Sequence, residues 1–375
     1  MTDTNIQLIS TISEDNKLTL ALQEFEMPQP CADEVVIRIE AAPLNPSDLA
    51  VMFSVADMLT AKQSGTEQSP VITADVPAHF MSAVKIRIGK AFPVGNEGAG
   101  TVVATGSSAA AQALMGKTVA VIGGGTYSQY KCANVQSCLE LKAGTSAKEG
   151  ASSFVNPLTA LAMVETMRAE GHKAIIHAAA ASNLGQMLNR ICIADGIDLI
   201  NIVRKEEQKS LLRDMGAKYV VNSSSDEFLT ELTAAIIETG ATIAFDPIGG
   251  GKLSSDILKC MEFAAARNMK EHSVYGSDTF KQVYIYGALN PGPITLNRNF
   301  GFAWGVNGFL LFNALGKLGT ETVMSMRKRV VDEITTTFSS RYTHEVSLVE
   351  ALQLQSIAAY SKQATGEKYL ITPQR

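Results

Sequence analysis

The sequence predicts an α/β protein built on a doubly wound parallel sheet, with a second, β-rich domain ahead of it. Three observations carry this. Between Lys173 and Val221, short apolar runs alternate with segments whose apolar residues recur at helical spacing. The first strand-to-helix turn there, Ala179-Ala-Ala-Ser-Asn-Leu-Gly185, is made of small side chains but for Leu184. Before residue 150 the chain instead shows short β-type runs separated by Gly and Pro.

The central stretch opens with the apolar run Lys173–Ala178, read as a buried strand. A helix carrying Leu184, Leu188 and Ile191 follows, then a strand over Asp198–Val203. A second helix carries Leu211, Leu212 and Met215 and closes at Gly216, before a strand over Tyr219–Asn222. This order is the first half of a dinucleotide-binding sheet. A pyrophosphate must approach backbone N–H groups at a helix N-terminus, so the turn needs small residues. Ala180, Ser182 and Gly185 stand at the fingerprint's three glycine positions, with Asn183 and Leu184 between them.

The second strand ends on Arg204 and Lys205, where a carboxylate would bond the ribose 2′-hydroxyl of NAD. A positive pair suits a 2′-phosphate, and so NADPH. Alternatively, the two are solvated charges opening a surface helix. Asn222, Asp246 and Tyr286, at the ends of the third and later strands, complete the expected cofactor set on this side.

Length and composition set outer bounds. The chain has 375 residues, enough for two cores, with 46% hydrophobic and 18% charged residues and a net charge of −5. No basic patch argues for nucleic acid, and no segment has the ~20 apolar residues that span a bilayer. The first residues lack a signal-peptide pattern, and Cys31, Cys132, Cys138, Cys192 and Cys260 show no pairing pattern. A cytoplasmic protein with reduced thiols is expected.

In chain order, Val35–Ile39 is a strand and Ala41–Asp48 a loop, because Pro43 and Pro46 disfavour regular structure. Met52, Val55 and Leu59 fit one face of a short helix, and Ser64–Pro70 is a polar surface loop. The segment from Leu49 to Lys90 is either a lid or a packing insertion. Phe92–Gly100 has three glycines around Glu97, which is either a buried structural carboxylate or a site residue. Strands follow at Thr101–Ala104 and Thr118–Ile122, with Gly123–Tyr130 leading into Lys131–Asn134.

A helix over Ala151–Glu170 then leads to the parallel sheet. Its second half is helix 225–238, strand Thr242–Asp246, helix 252–266 and strand Gln282–Tyr286. Gly287–Gly308 is expected to be a long loop, with Trp304 lining a pocket, plugging a core or meeting a second copy. One long helix carries Val323, Met326, Val330, Ile334 and Phe338, a further helix covers Ser347–Tyr360, and Lys368–Ile371 is a final strand.

Several pieces occur together in one order: Asn45-Pro-Ser-Asp48, Gly95-Asn-Glu-Gly-Ala-Gly100, Gly124–Tyr130, Asn156-Pro-Leu-Thr-Ala160, the turn ending in Gly185, Met215-Gly-Ala217, Asp246-Pro-Ile-Gly-Gly250 and Gly366-Glu-Lys-Tyr-Leu370. In these the chain resembles zinc-independent members of the medium-chain dehydrogenase/reductase superfamily, of the quinone oxidoreductase and enoyl-thioester reductase kind. The resemblance implies a GroES-like β-barrel catalytic domain over 1–150, completed by 320–375. A Rossmann domain over 151–319 is inserted into it, with the active site in the cleft. It also implies a homodimer, and places Asn45, Asn156, Thr159 and Lys368 near the nicotinamide or the phosphates.

Zinc-dependent relatives carry a Cys near Leu44 or Asn45 and a His before the Glu. Here Asn96 precedes Glu97, and no metal is expected. Enoyl-thioester reductases carry a Tyr where this chain has Ala56. The expected activity is hydride transfer from NADPH to a quinone or similar conjugated carbonyl, a small-molecule substrate, with Asn45 and Tyr127 as catalytic candidates; Tyr127 and Tyr286 are each a proton donor, a wall of the site or a packing residue. The alternatives are an enone or enoyl-thioester reductase, and a nucleotide-binding or regulatory protein without turnover.

Overall fold

The computed structural model describes residues 4–375. Its contacts divide the chain into two units: 1–155 with 329–375, and 156–328.

The first unit opens with the antiparallel hairpin β1 (Thr4–Ile12) and β2 (Lys17–Glu26). Next come β3 (Glu34–Pro43) and helix α1 (Pro46–Phe53). The 41–48 loop expectation is corrected here. Pro43 ends a strand, and Pro46 sits in the first turn of a helix, where its missing N–H costs nothing. Ser54 adopts φ +53° at the end of α1 and breaks the helix. Leu59 therefore leaves the expected helical face: it lies in β4 (Asp57–Gly65) and is 97% exposed.

Strand β4 pairs antiparallel with β5 (Pro70–Asp75), and β5 pairs with β2. Ser64–Pro70 is thus the tip of a hairpin. The 49–90 segment extends the N-terminal sheet, whose order is β4-β5-β2-β1-β6, with β6 at Phe92–Pro93. Strand β7 (Glu97–Thr105) follows, and the short helix α2 (Ala109–Gln112) leads to β8 (Thr118–Ile122), β9 (Tyr130–Asn134) and β10 (Cys138–Glu140). The apolar sides of these sheets, with Leu8, Ile37, Ile39, Val102 and Tyr127, form one core.

After α3 (Ala147–Gly150), helix α4 (Val155–Ala169) runs into the second unit with Pro157 near its start. The parallel sheet follows: β11 (Ile175–His177), α5 (Asn183–Asp195), β12 (Leu199–Val203), α6 (Glu206–Asp214), β13 (Tyr219–Asn222), α7 (Phe228–Thr239), β14 (Ile243–Asp246), the short β15 (Gly249–Gly251), α8 (Leu253–Ala266) and β16 (Lys281–Ile285).

The expected 287–308 loop holds two more strands, β17 (Asn290–Ile294) and β18 (Trp304–Gly308). Glycine and asparagine masked β18, which pairs parallel with β16 as the edge of the sheet. Trp304 opens β18 and packs on the core, edge-to-face with Phe300 at 5.1 Å. The sheet order β13-β12-β11-β14-β16-β18 reverses direction between β11 and β14. That reversal is where open α/β sheets bind ligands, outside the carboxyl ends of the strands.

Helices α9 (Leu311–Leu318) and α10 (Thr320–Glu333) follow. The expected long helix ends at Glu333, so Ile334 and Phe338 fill the core from beyond α10. The first unit then resumes with β19 (His344–Val346), α11 (Leu348–Ala351), α12 (Leu354–Tyr360) and β20 (Tyr369–Ile371), which joins β3 antiparallel. The single helix expected over 347–360 is two. Tyr360 donates to the Ala351 carbonyl at 3.0 Å, satisfying the end of α11 and making the break stable.

Candidate active site

In the second unit, the turn after β11 is the cofactor-side candidate. Ala179 holds φ +50°, a left-handed backbone that L residues rarely adopt. Ser182 caps α5 by accepting from the Gly185 N–H at 3.2 Å. A Cβ on Gly185 would sit 2.2 Å from the Ala180 carbonyl oxygen, so only glycine lets helix and turn close this tightly. Ala180, Asn183 and Leu184 lie on the same turn and helix start. The first turn of α5 thus presents backbone N–H groups and a positive helix end at the carboxyl edge of β11. The side chains of this turn are small apart from Leu184, as a dinucleotide pyrophosphate at a helix N-terminus requires.

Arg204 and Lys205 are exposed directly after β12, and neither side chain forms an ion pair among the described residues. Lys209, by contrast, pairs with Glu231 at 3.3 Å. Val203 is level with Asn222 in the sheet, so Arg204 and Asn222 share one edge. The Asn222 amide donates to Glu206 at 2.6 Å and its oxygen accepts from the Ser224 N–H at 2.9 Å.

At the end of β14, Asp246 is buried and accepts from the Ile248 N–H at 2.8 Å and from the Ser254 hydroxyl at 3.1 Å. Burial raises its pKa against those donors. Its structural load is therefore the turn after β14. Tyr286 follows β16, and its hydroxyl lies 2.7 Å from Nε2 of His177, which closes β11. Thr159 is buried in α4 and Asn156 half-buried at its start.

The first unit gathers a second polar cluster. Glu97 is fully buried at the start of β7. It accepts from the Asn45 amide at 2.8 Å and from the N–H groups of Phe154 and Val155 at 2.8 and 2.9 Å. Burial raises its pKa while the Lys368 charge and those donors oppose the rise. Lys368 reaches in from just before β20 and donates to the buried Ser152 hydroxyl at 2.8 Å. Burial brings its pKa from 10.5 down to about 8. Asp48 is fully buried and accepts from the N–H groups of Asn45 and Asn96 at 2.8 and 2.7 Å. Burial pushes it from 3.8 up to about 7.

Asn45 and Lys368 are thus brought into one cluster, through Glu97. Nothing in composition separated the two roles offered for Glu97. The signal was its place in a glycine-rich turn, which can seat a carboxylate in a core only with fixed donors around it. Tyr127 is corrected as a catalytic candidate. It is fully buried in the core, and its hydroxyl donates to the Pro43 carbonyl at 3.0 Å. Its pKa is raised well above 10.0 by burial.

Among the described residues, no group of three or more His, Cys, Asp or Glu is gathered as a metal ligand set. No helix among them is long and apolar enough to cross a membrane.

No protein-family model matches the chain. It is 28% identical over 285 residues to the mitochondrial enoyl-[acyl-carrier-protein] reductase of Xenopus tropicalis, covering 74% of this chain and 68% of that protein. To the mouse (Mus musculus) enoyl-[acyl-carrier-protein] reductase it is 26% identical over 258 residues, 65% of this chain and 60% of that protein. Among solved structures, a Mesorhizobium loti protein assigned as an NADPH:quinone reductase superposes with TM-score 0.74 at 24% identity, over 100% of this chain and 99% of that one. The mitochondrial 2-enoyl thioester reductase heterodimer of Candida tropicalis gives TM-score 0.67 at 20% identity, over 98% and 99% of the two chains. These structural likenesses show the fold, a Rossmann parallel sheet joined to a GroES-like β domain.

Proposed function

We propose that the chain is a medium-chain dehydrogenase/reductase of the quinone oxidoreductase-like branch, an NADPH-dependent oxidoreductase that passes hydride to a quinone or similar conjugated carbonyl. The observation that carries this is the turn Ala179–Gly185 with exposed Arg204 and Lys205 after the next strand, on the sheet edge where a dinucleotide binds. Ala180, Ser182, Asn183, Leu184 and Gly185 would cradle the pyrophosphate, and Arg204 and Lys205 the 2′-phosphate, with Asn222 beside them. Asp246 and Tyr286 are proposed on the cofactor side of the parallel sheet, and the family resemblance implies Asn45, Asn156, Thr159 and Lys368 as further cofactor residues.

When bound, the nicotinamide supplies the hydride. The chain's own residues hold and orient it and keep water away. The reading is zinc-independent, because both oxygens of Glu97 are already engaged by N–H donors and the residue before it is Asn96. A homodimer, a cytoplasmic location and the domain roles expected from the sequence belong to the same proposal.

NADPH oxidation by the purified chain with a simple quinone, and with an enone or enoyl thioester, tests it. Acceptor-dependent oxidation is expected. No turnover of any acceptor would favour the non-catalytic nucleotide-binding reading.

The enone or enoyl-thioester alternative has a specific observation in its favour: the relatives and the Candida tropicalis structure carry that activity in their names. It needs a proton donor, and Tyr127 cannot serve with its hydroxyl bound to Pro43 inside the core.

A further inference from the structure

The carboxyl ends of β11, β14 and β16 lie side by side, with His177 level with Phe245 and Asp246 level with Ile285. His177 closes β11, and Tyr286 follows β16 two strands away. Their rings stack at 5.8 Å, and Nε2 of His177 lies 2.7 Å from the Tyr286 hydroxyl. His177 is fully buried, and its Nδ1 has no hydrogen-bond partner among the described residues. Burial holds the ring neutral, with its pKa down at about 3. A neutral imidazole carries one proton, on one nitrogen or the other.

The two tautomers differ in what they leave unsatisfied. With the proton on Nδ1, Tyr286 donates to Nε2 and an N–H is stranded in the core, at the desolvation cost of an unpaired donor. With the proton on Nε2, His177 donates to the Tyr286 oxygen and no donor is stranded. The Tyr286 O–H is then free of His177; Tyr286 is half-buried as a residue, and burial raises its pKa well above 10.0. Its other polar neighbour, Asp246, is occupied by Ile248 and Ser254. Buried donors are rarely left orphaned, which selects the second tautomer.

We propose that His177 donates from Nε2 to the Tyr286 oxygen, and that the freed Tyr286 hydroxyl is the proton donor for an α,β-unsaturated carbonyl acceptor. The role as donor rests on the oxidoreductase reading above; the sense of the hydrogen bond does not.

In the reaction, a bound NADPH would supply the hydride that forms the new C–H bond at the β-carbon. The acceptor's π electrons move onto the carbonyl as an enolate. The Tyr286 O–H bond breaks, and its proton forms the C–H bond at the α-carbon of the enolate, giving the saturated carbonyl product. The tyrosinate left behind keeps the hydrogen bond from His177 Nε2–H, and water returns the proton. Tyr286 is the donor and His177 the residue that positions it. A quinone depends less on this donor, because its reduced anion can be protonated by solvent.

Two measurements on the full chain test this. Nitrogen-15 NMR of histidine-labelled protein without cofactor reads the tautomer. The expected result is a protonated Nε2 and a bare Nδ1 on His177; protonation at Nδ1 would overturn the assignment. The second measurement is the ratio of enone to quinone turnover with NADPH. Tyr286→Phe should lower that ratio about 100-fold, the lower range for a lost general acid. His177→Leu should lower it about 10-fold, and His177→Gln, whose amide N–H can stand in for Nε2–H, should restore most of it. An equal fall with both acceptors, or failure of His177→Gln to rescue, would show a packing role and overturn the proposal. If the unaltered chain turns over neither acceptor, the oxidoreductase reading fails and the donor role with it, while the NMR result still decides the hydrogen bond.

Discussion

The Asn45 side-chain amide donates to the Glu97 carboxylate at 2.8 Å, joining segments 52 residues apart in the chain. The same carboxylate holds the Phe154 and Val155 N–H groups, so one buried anion ties the start of α1, the start of β7 and the start of α4. Glu97→Gln replaces one acceptor oxygen by an amide that faces donors. The expected loss is about 2–3 kcal/mol of unfolding free energy, the value of a hydrogen bond to a charged group. Urea unfolding of the variant reads it; an unchanged midpoint would contradict the anchoring role.

Asp48 and Lys368 give the first unit a two-sided pH dependence. Asp48 is raised in the folded state from 3.8 to about 7. Its contribution is therefore present below pH 4 and lost as pH climbs toward 7, because the native state must give up water's solvation of the anion. Wild-type stability relative to Asp48→Asn should fall across that window. A flat difference between the two proteins from pH 4 to 7 would count against the shift.

Lys368 runs the other way. Its folded pKa is lowered from 10.5 to about 8, so its contribution is present above pH 10.5 and lost as pH falls through 8. Stability measured against Lys368→Met should rise from pH 8 toward 10, and a fall over that range would reverse the argument.

The Rossmann-like turn is tested by one methyl group. Gly185→Ala would push its Cβ into the Ala180 carbonyl at 2.2 Å. The turn must open, with about 2 kcal/mol or more lost and NADPH binding weakened at least tenfold. Calorimetric titration of the variant, checked for native circular dichroism, measures both. Binding at wild-type strength would mean that the pyrophosphate does not use this turn.

In the second unit, Lys281 is fully buried and donates to Glu262 at 2.6 Å, to the Thr279 carbonyl at 2.8 Å and to Ser277 at 3.2 Å. Glu262 also accepts from the Ser277 N–H and hydroxyl. Removing one partner leaves a bare charge in the core, so Lys281→Met should cost about 3–5 kcal/mol, read as a lowered denaturation midpoint. The double variant Lys281→Met with Glu262→Leu should recover much of that; no recovery would contradict the charge-burial account.

The parallel sheet was legible because its strands are continuous apolar runs and its helices keep their spacing. Ile175–His177, Leu199–Val203 and Tyr219–Asn222 fall inside the runs read from the sequence. Strand β18 was not, because Gly305, Asn307 and Gly308 have low strand propensity and only pairing along β16 makes a strand of them. The β4–β5 hairpin was hidden in the same way by its polar tip.

The candidate site was legible where it rests on local turn chemistry, as at Ser182 and Gly185. It was not where long-range burial decides. Tyr127 reads as a polar aromatic in a glycine-rich loop until the Pro43 carbonyl is found above its hydroxyl. His177 and Tyr286 are 109 residues apart, and no local pattern could pair them.

The central claim is that this chain binds a dinucleotide through the Ala179–Gly185 turn and prefers the 2′-phosphate through Arg204 and Lys205. Titration of NADPH and NADH into the purified chain, followed by nicotinamide fluorescence, tests it most directly. The account predicts saturable NADPH binding at least tenfold tighter than NADH, with the difference largely lost in Arg204→Ala/Lys205→Ala, the order of one charged hydrogen bond. Binding of neither nucleotide, or equal binding of both, would contradict it.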